Sequence, residues 1–170
     1  YMLEPLKQKG LKMEKNNDII IKKADKTNYN DILNIENKLE HKMFSKQILL
    51  QDLENDLYSY FIAYTKDELI PIGFIGISNL CYTMDLLYIA VNKEKRNSSV
   101  GTKLLQYIEE LAKNKGIEKI MLEVRDSNII AIKFYEKRGF KKISVRKNYY
   151  QDTHEDAIIY EKIISNTEVN

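Results

Sequence analysis

The stretch that decides the fold covers residues 86–112 and reads LLYIAVNKEKRNSSVGTKLLQYIEELA. Its first six residues are apolar or aromatic and predict a strand that ends at Val91. Its second half carries apolar residues at helical spacing, which predicts an amphipathic helix. These residues are Val100, Leu104, Ile108, Leu111 and Ala112. The stretch is therefore a strand, a polar loop and a helix in succession.

The loop between this strand and this helix is basic and rich in small residues. A helix N-terminus presents free backbone N–H groups and the positive end of the helix dipole. Lys95 and Arg96 add positive charge just before it. Such an arrangement suits a pyrophosphate group. An ordinary capped helix with a solvated basic loop explains the local pattern equally well.

Upstream of this unit, the residue pattern predicts a strand, two helices and two more strands. The predicted elements are a strand at Ile19–Ile21, a helix from Asp25–Thr27 to about Leu39, a helix capped by Ser45, and strands Tyr58–Thr65 and Leu69–Ser78. With Met84–Val91 they give three consecutive antiparallel strands. Residues 1–18 are polar and without periodicity, and we expect them to be a flexible N-terminal extension.

Downstream, Gly116 is a suitable C-terminal residue for the amphipathic helix, and four further elements follow. They are a strand at Ile117–Val124, a helix from Ser127 or Asn128 to about Arg138, and strands Lys141–Tyr149 and Glu155–Ile164. The predicted order is β-α-α-β-β-β-α-β-α-β-β. We expect one α/β (α+β) domain over residues 19–165, with a mixed, mostly antiparallel sheet flanked by helices.

The charge and the cysteine and histidine content of the chain limit the kinds of molecule that we expect it to bind. The chain has 170 residues, and 27 Lys+Arg against 25 Asp+Glu leave a net charge of +2, so no nucleic-acid partner is expected. Cys81 is the only cysteine, which excludes an internal disulfide and fits a reducing compartment. No run approaches the roughly 20 apolar residues of a membrane span. The two histidines are isolated, so no metal site is predicted. We expect a cytoplasmic protein with no membrane partner.

The loop sequence Arg96-Asn97-Ser98-Ser99-Val100-Gly101 resembles the cofactor signature of the GNAT superfamily, Arg/Gln-x-x-Gly-x-Gly/Ala. Ser99 stands where that family usually has its first glycine. Serine keeps the N–H donor but adds a Cβ, which disfavours a positive φ.

A second, longer match lies in residues 122–157. Leu122-Glu123-Val124-Arg125-Asp126-Ser127-Asn128 resembles the corresponding segment of RimI-type N-alpha-acetyltransferases, a subgroup of GNAT enzymes. The resemblance continues through Ala131, Phe134-Tyr135, Gly139-Phe140, Arg146, Tyr149-Tyr150 and Glu155-Asp156-Ala157. It covers about half of the chain, and both motifs stand in the correct order.

The resemblance implies the GNAT fold, with acetyl-CoA as co-substrate in a gap between the strands that end at Val91 and Val124. The implied contacts with acetyl-CoA are Ile89, Ala90, Val91, Arg96, Asn97, Ser98, Ser99, Val100, Gly101, Thr102 and Asn128. It also implies that Glu123 is the general base and Tyr135 the general acid. The alternatives are a rim glutamate paired with Arg125 or Lys119, and a core tyrosine.

Phe44 on the loop between the first two helices, and the pair Tyr149-Tyr150, correspond to substrate-contacting positions of the family; edge packing is the alternative. The function implied is acetylation of the N-terminal α-amine of a protein, such as a ribosomal protein that begins with alanine. Two other functions remain open: acetylation of a small amine or a lysine side chain, and a CoA-binding regulatory module without turnover.

Overall fold

The computed structural model describes residues 19–39, 42–96 and 98–164. The expected extension 1–18, Asn97 and residue 165 lie outside the described residues. The strands are β1 (Ile19–Lys23), β2 (Tyr58–Thr65), β3 (Pro71–Leu80), β4 (Thr83–Val91), β5 (Lys119–Arg125), β6 (Lys141–Arg146) and β7 (Ala157–Ile163). The helices are α1 (Tyr29–Glu36), α2 (Lys46–Leu53), α3 (Val100–Asn114) and α4 (Ile129–Glu136). This order confirms the predicted one.

The seven strands form one sheet in the order β1-β2-β3-β4-β5-β7-β6. Every neighbouring pair is antiparallel except β4 and β5, which run parallel. The mixed, mostly antiparallel sheet predicted from the sequence is therefore confirmed. The crossover from β4 to β5 is made by α3, as a parallel connection requires.

Each face of the sheet has its own hydrophobic core. On one face, α3 and α4 cover the strands, and their contribution includes Leu104, Ile108 and Tyr135. On the other face, α1 and α2 cover β2 and β3, with Ile32, Ile35 and Leu49 buried completely. The second pair of helices covers only the β1–β4 half of its face. The part of that face formed by β5, β7 and β6 carries no helix of the described chain.

The first helix is shorter than predicted, because it ends at Glu36 and not near Leu39. The Glu36 carboxylate turns back and accepts hydrogen bonds from the backbone N–H groups of Met43 and Phe44, at 3.0 and 3.4 Å. This side chain is buried and binds the following loop. A carboxylate that binds loop amides stabilises the chain reversal, so the helix gives way to a turn at that point.

The last two strands are also shorter than predicted. β6 ends at Arg146, so Tyr149 and Tyr150 lie in the loop after it rather than at its end. Asn148 has a positive φ of 49°, which breaks the extended backbone. None of the helices in the described ranges is long and apolar enough to cross a membrane.

Candidate acetyl-transfer site

A gap opens in the middle of the sheet between β4 and β5. The two parallel strands pair only from Thr83–Lys119 to Leu86–Leu122. β4 continues to Val91 paired with β3, and β5 continues to Arg125 paired with β7. Beyond Leu86 and Leu122, β4 and β5 are therefore not paired with each other. Backbone groups alternate between the two sides of a strand, and the N–H of Asn92 donates to the carbonyl of Ile72 beside β3, at 2.9 Å. The backbone groups of Ala90 therefore face β3, and those of Ile89 and Val91 face the gap.

The gap begins beside an irregularity in β4. Gly76 of β3 pairs with Tyr88, but its neighbour Ile77 pairs with Leu86, so Leu87 is an extra residue. Such a bulge bends the strand and changes the direction of the side chains and backbone groups that follow it. The bulge therefore directs the end of β4 away from β5. No local sequence pattern indicates this bulge.

The N-terminus of α3 lies directly after β4 and the basic loop. The first intrahelical hydrogen bond runs from the N–H of Lys103 to the carbonyl of Ser99, at 2.8 Å. The amides of Val100, Gly101 and Thr102 precede that bond and are the donors that a helix leaves without an intrahelical acceptor. An anion placed there meets three N–H groups and the positive end of the helix dipole.

Ser99, at the position of the family's first glycine, is the N-cap residue of α3. Its φ is −71° and its ψ is 5°, a conformation that any L-residue adopts. The backbone at this position does not need glycine. The substitution therefore introduces no backbone strain here, and the serine keeps its N–H group.

Gly101 and Thr102 lie where α3 meets α4. A Cβ atom at Gly101 would lie 3.5 Å from two ring carbons of Phe134 and 3.7 Å from the Val91 side chain. The guanidinium of Arg138 covers the Phe134 ring at 3.7 Å from its centroid and also binds the Thr102 hydroxyl. The first turn of α3 is thus held against α4 beside the end of β4.

Asn128 begins the helix on the other side of the gap. Its carboxamide oxygen accepts a hydrogen bond from the N–H of Ala131, at 3.1 Å, and so caps α4. This confirms the predicted helix start. It also places Asn128 just after β5, at the same end of the sheet as the N-terminus of α3.

Glu123 lies on β5 at the rim of the gap, on the helix-free part of the sheet face. Its neighbours Leu122 and Val124 are buried on the opposite face, and the Glu123 side chain is 32% exposed. Its carboxylate accepts a hydrogen bond from the guanidinium of Arg146 on β6. The structure therefore pairs Glu123 with Arg146 and not with Arg125 or Lys119, the partners that the sequence suggested. Lys119 binds Glu161 instead, at 3.7 Å.

Asp85 is a second carboxylate near Glu123, and sequence reasoning missed it. It lies on β4, three residues before Tyr88, and pairs with Ser78 of β3. Burial first, and then the neighbouring charge of Glu123, raise the pKa of the Asp85 carboxyl. An isolated acidic residue between Met84 and Leu86 in an apolar strand was the available signal.

Tyr135 lies on the opposite side of the sheet from Glu123. It is 5% exposed and packs edge-on against Phe134 and Phe140, with ring centroids 5.3 and 5.5 Å apart. Within the described residues its hydroxyl has no hydrogen-bond partner, and burial raises its pKa well above the ordinary value. The phenol is therefore a protonated donor at neutral pH. The gap between β4 and β5 is the opening through which groups on these two faces can meet.

Tyr149 and Tyr150 lie in the loop between β6 and β7, next to Glu123. Their rings meet edge-on at 5.2 Å, and Tyr149 is 42% exposed. The interaction of Tyr149 with the Glu123 carboxylate raises the pKa of its phenol. The guanidinium of Arg146 lies 5.4 Å from the centre of the Tyr149 ring. The structure thus brings both tyrosines together with the predicted base.

Phe44 is placed differently, because it is only 8% exposed and belongs to the core under α1 and α2. Its ring packs edge-on against the ring of Tyr88, with centroids 5.0 Å apart. Tyr88 in turn stacks on Tyr60 at 6.3 Å, across Gly76, where a Cβ would lie 2.7 Å from the Tyr60 ring. Phe44 therefore supports the partly exposed Tyr88, which sequence reasoning did not single out.

In the part of the chain that the structure describes, no three histidine, cysteine or carboxylate side chains cluster closely enough to hold a metal ion.

A family model, described as the acetyltransferase (GNAT) family, matches residues 27–140. This range includes the gap, the first turn of α3, Glu123 and Tyr135. The chain therefore belongs to the GNAT family of acetyltransferases, whose acyl donor is acetyl-CoA. The fold and the family membership implied by the two motifs are confirmed.

Three individual proteins are similar to this chain. A Bacillus subtilis (strain 168) protein, named provisionally as a ribosomal protein bS18-alanine N-acetyltransferase, is 34% identical over 116 residues, which cover 68% of this chain and 76% of that protein. An N-alpha-acetyltransferase of Saccharolobus solfataricus is 30% identical over 159 residues, 86% of this chain and 93% of that protein. The crystal structure of the ribosomal-protein-S18-alanine N-acetyltransferase from Escherichia coli matches with a TM-score of 0.79 and 27% identity, over 89% of this chain and 97% of that one.

Proposed function

We propose that this protein transfers the acetyl group of acetyl-CoA to the N-terminal α-amine of a protein. One observation carries the proposal. The gap between β4 and β5 opens, on its helix-free side, directly beside the Glu123 carboxylate and the two tyrosines of the β6–β7 loop. An acceptor amine that arrives from that side meets a carboxylate and two phenols at the edge of the opening.

The end of β4 and the first turn of α3 would hold acetyl-CoA. The backbone groups of Ile89 and Val91 suit an extended, amide-containing arm, because its amides can replace the missing strand partner. The amides of Val100, Gly101 and Thr102 suit the pyrophosphate, with Arg96 adding positive charge. Asn97, Ser98 and Asn128 are proposed contacts by their position in the family signature.

Two proton transfers remain for the protein to perform. An α-amine has a pKa of about 7.7–8.0, so roughly a tenth of it is neutral at pH 7. The neutral amine attacks the thioester carbonyl, and its nitrogen must lose a proton before the amide forms. Glu123 can accept that proton, directly or through a water molecule. The Tyr135 phenol, held protonated on the other side of the gap, can donate a proton to the departing thiolate. Acetyl-CoA supplies the acetyl group as a thioester, and no covalent enzyme intermediate is needed.

The β6–β7 loop favours an N-terminal amine as acceptor. The hydroxyl groups of Tyr149 and Tyr150 can bind the backbone of an extended chain end without demanding a particular sequence. Tyr88, backed by Phe44, lies on β4 at the opposite side of the gap. Two of the similar proteins are named as alanine N-acetyltransferases of a ribosomal protein, and a third as an N-alpha-acetyltransferase, which supports the same choice. A small first residue, alanine or serine, is the substrate we propose.

The experiment is an acetyl-transfer assay over peptides that differ only at the first residue. A matched peptide with a blocked N-terminus and an internal lysine is the control. We expect the highest kcat/KM on Ala and Ser peptides and background rates on the blocked one. Equal rates on the blocked lysine peptide would contradict the proposal, and turnover of small amines alone would replace it by the small-molecule alternative.

A further inference from the structure

Arg125 ends β5, two residues after Glu123 and on the same face of the sheet. It pairs with Ala157, the first residue of β7, so its side chain lies beside the loop that joins β6 to β7. The side chain is 33% exposed. The family match includes an arginine here, but the reaction proposed above gives it no role.

The Arg125 guanidinium binds three loop side chains at once. One nitrogen, Nη2, donates to both carboxylate oxygens of Asp152, at 3.0 and 3.1 Å. The other, Nη1, donates to the Thr153 hydroxyl at 2.7 Å and to Glu155 at 3.1 Å. The planar face of the same group lies 3.8 Å from the centre of the Tyr150 ring. A guanidinium alone among side chains offers this combination of a fork of donors and a stacking face.

These contacts converge on the position of the Tyr150 ring. The backbone of Tyr150 is already tied to the loop, since its N–H donates to the carbonyl of Glu155 at 3.2 Å. Its ring is held by the stacked guanidinium at 3.8 Å and by the edge-on ring of Tyr149 at 5.2 Å. Arg125 therefore joins the strand that carries the general base to the ring that faces the acceptor.

The network is poorly placed to stabilise the whole domain. Ion pairs at the surface contribute little to the free energy of folding, and Asp152 is largely exposed. A network of four polar contacts and one stacked ring, all within one short loop, acts mainly on the conformation of that loop.

We propose that Arg125 is a positioning residue for the acceptor peptide: it holds the Tyr150 ring in the orientation that binds the peptide backbone. This inference rests on the proposed function. Arg125 then affects the affinity for the acceptor peptide, whereas other residues bind acetyl-CoA and perform the chemical step.

The test compares Arg125→Met, Arg125→Lys and Lys162→Met in the full chain, with acetyl-CoA and an N-terminal Ala peptide. Lys162 is the control, because it also forms a partly buried ion pair, with Glu109 at 2.7 Å, and covers the Phe140 ring, but lies away from the loop. Arg125→Met should raise the peptide KM about tenfold, with kcat and the acetyl-CoA KM unchanged. The peptide KM of Arg125→Lys should lie between those of the wild type and Arg125→Met. A lysine ammonium keeps the charge but lacks the planar, forked set of donors of a guanidinium. Lys162→Met should leave the peptide KM unchanged.

A second measurement isolates the contact with the ring. In a Tyr150→Leu background, Arg125→Met should add little further increase in peptide KM, because the ring that it orients is gone. Fully additive effects, or an unchanged peptide KM in folded Arg125→Met, would overturn the inference. A loss of thermal stability equal in Arg125→Met and Arg125→Lys, with kcat falling in parallel, would assign Arg125 a structural role instead. If the wild-type protein acetylates no peptide terminus, the proposed function fails, which is a distinct result.

Discussion

The Arg146 guanidinium on β6 binds the Glu123 carboxylate on β5, across the intervening strand β7. This ion pair fixes the proposed base beside the Tyr149 ring at the mouth of the gap. The pair lies on the part of the sheet face, formed by β5, β7 and β6, that no helix of the described residues covers. Its position makes the Glu123 carboxylate accessible to an acceptor from outside while its backbone stays within the sheet.

Glu123→Gln should lower kcat by about 10² to 10⁴-fold, the usual contribution of general acid–base catalysis. The change removes the base but keeps the side-chain volume, so the affinity for acetyl-CoA should be unchanged. Steady-state kinetics and calorimetry with CoA measure the two effects. Glu161→Gln, on the same face of β7 and paired with Lys119, is the matched control and should keep normal kcat. A normal rate for Glu123→Gln across the pH profile would place the base elsewhere.

Tyr135→Phe distinguishes catalysis from core packing. The Tyr135 hydroxyl has no partner among the described residues, so its removal leaves no buried group unsatisfied and should not lower the melting temperature. If the phenol is the general acid, kcat should nevertheless fall by roughly 10²-fold or more. Thermal unfolding and kinetics on the same sample measure both. Unchanged kcat with unchanged stability would show that Tyr135 contributes to core packing and not to catalysis.

Substitutions of two sizes at Gly101 test whether the first turn of α3 binds the cofactor. Gly101→Ala should fold normally and bind CoA well, because its Cβ would make ordinary contacts of 3.5 Å or more with Phe134 and Val91. Gly101→Val carries two further methyl groups into this space, and we expect its affinity for CoA to drop about tenfold or more, a loss of roughly 1.4 kcal/mol. Calorimetric titration with CoA measures both variants. Wild-type affinity in a folded Gly101→Val protein would move the pyrophosphate away from this turn.

Asp85→Asn should make the protein more stable at neutral pH. Burial and the Glu123 charge raise the pKa of Asp85, so between its unfolded and folded pKa values the folded state binds more protons than the unfolded state. Stability from this group is therefore present at low pH and is lost as the pH rises through the folded pKa. The melting temperature of Asp85→Asn should exceed that of the wild type at pH 7. The difference should shrink as the pH falls through the raised folded pKa and should have vanished below about pH 4, where the carboxyl is protonated in both states.

Asp152→Asn is the control of opposite sign for that experiment. Its hydrogen bond with Arg125 holds the pKa of Asp152 below the usual range, so its contribution is present at neutral pH and lost in acid. This variant should gain no stability at pH 7. A gain in both variants would show a general effect of reduced negative charge rather than the burial of Asp85.

The order of elements could be predicted because each element satisfies a local rule. Val100, Leu104 and Ile108 recur at helical spacing, and the positive φ of 68° at Gly116 lies where the sequence places the end of that helix. Asn128 caps α4 by a hydrogen bond that depends only on the next three residues. The lengths of β6 and β7 were harder to predict from the sequence. The loop between them is held by Arg125, which is far from the loop residues in the sequence.

The site was predicted in part for the same reason. The motif residues Glu123, Tyr149 and Tyr150 do lie together, but the partner of Glu123 is set by the order β5-β7-β6, which no local pattern encodes. The bulge at Leu87 and the charge coupling of Asp85 also depend on neighbouring strands. The burial of Phe44 follows from aromatic packing across three strands rather than from its position in a loop.

The most direct test of the account offers both kinds of amine in one molecule. A peptide with a free N-terminal alanine and an internal lysine is reacted with acetyl-CoA and the wild-type protein, and tandem mass spectrometry locates the acetyl group. The account predicts acetyl on the α-amine, with the lysine unmodified at early and late times. Acetyl on the lysine with the terminus untouched would contradict it.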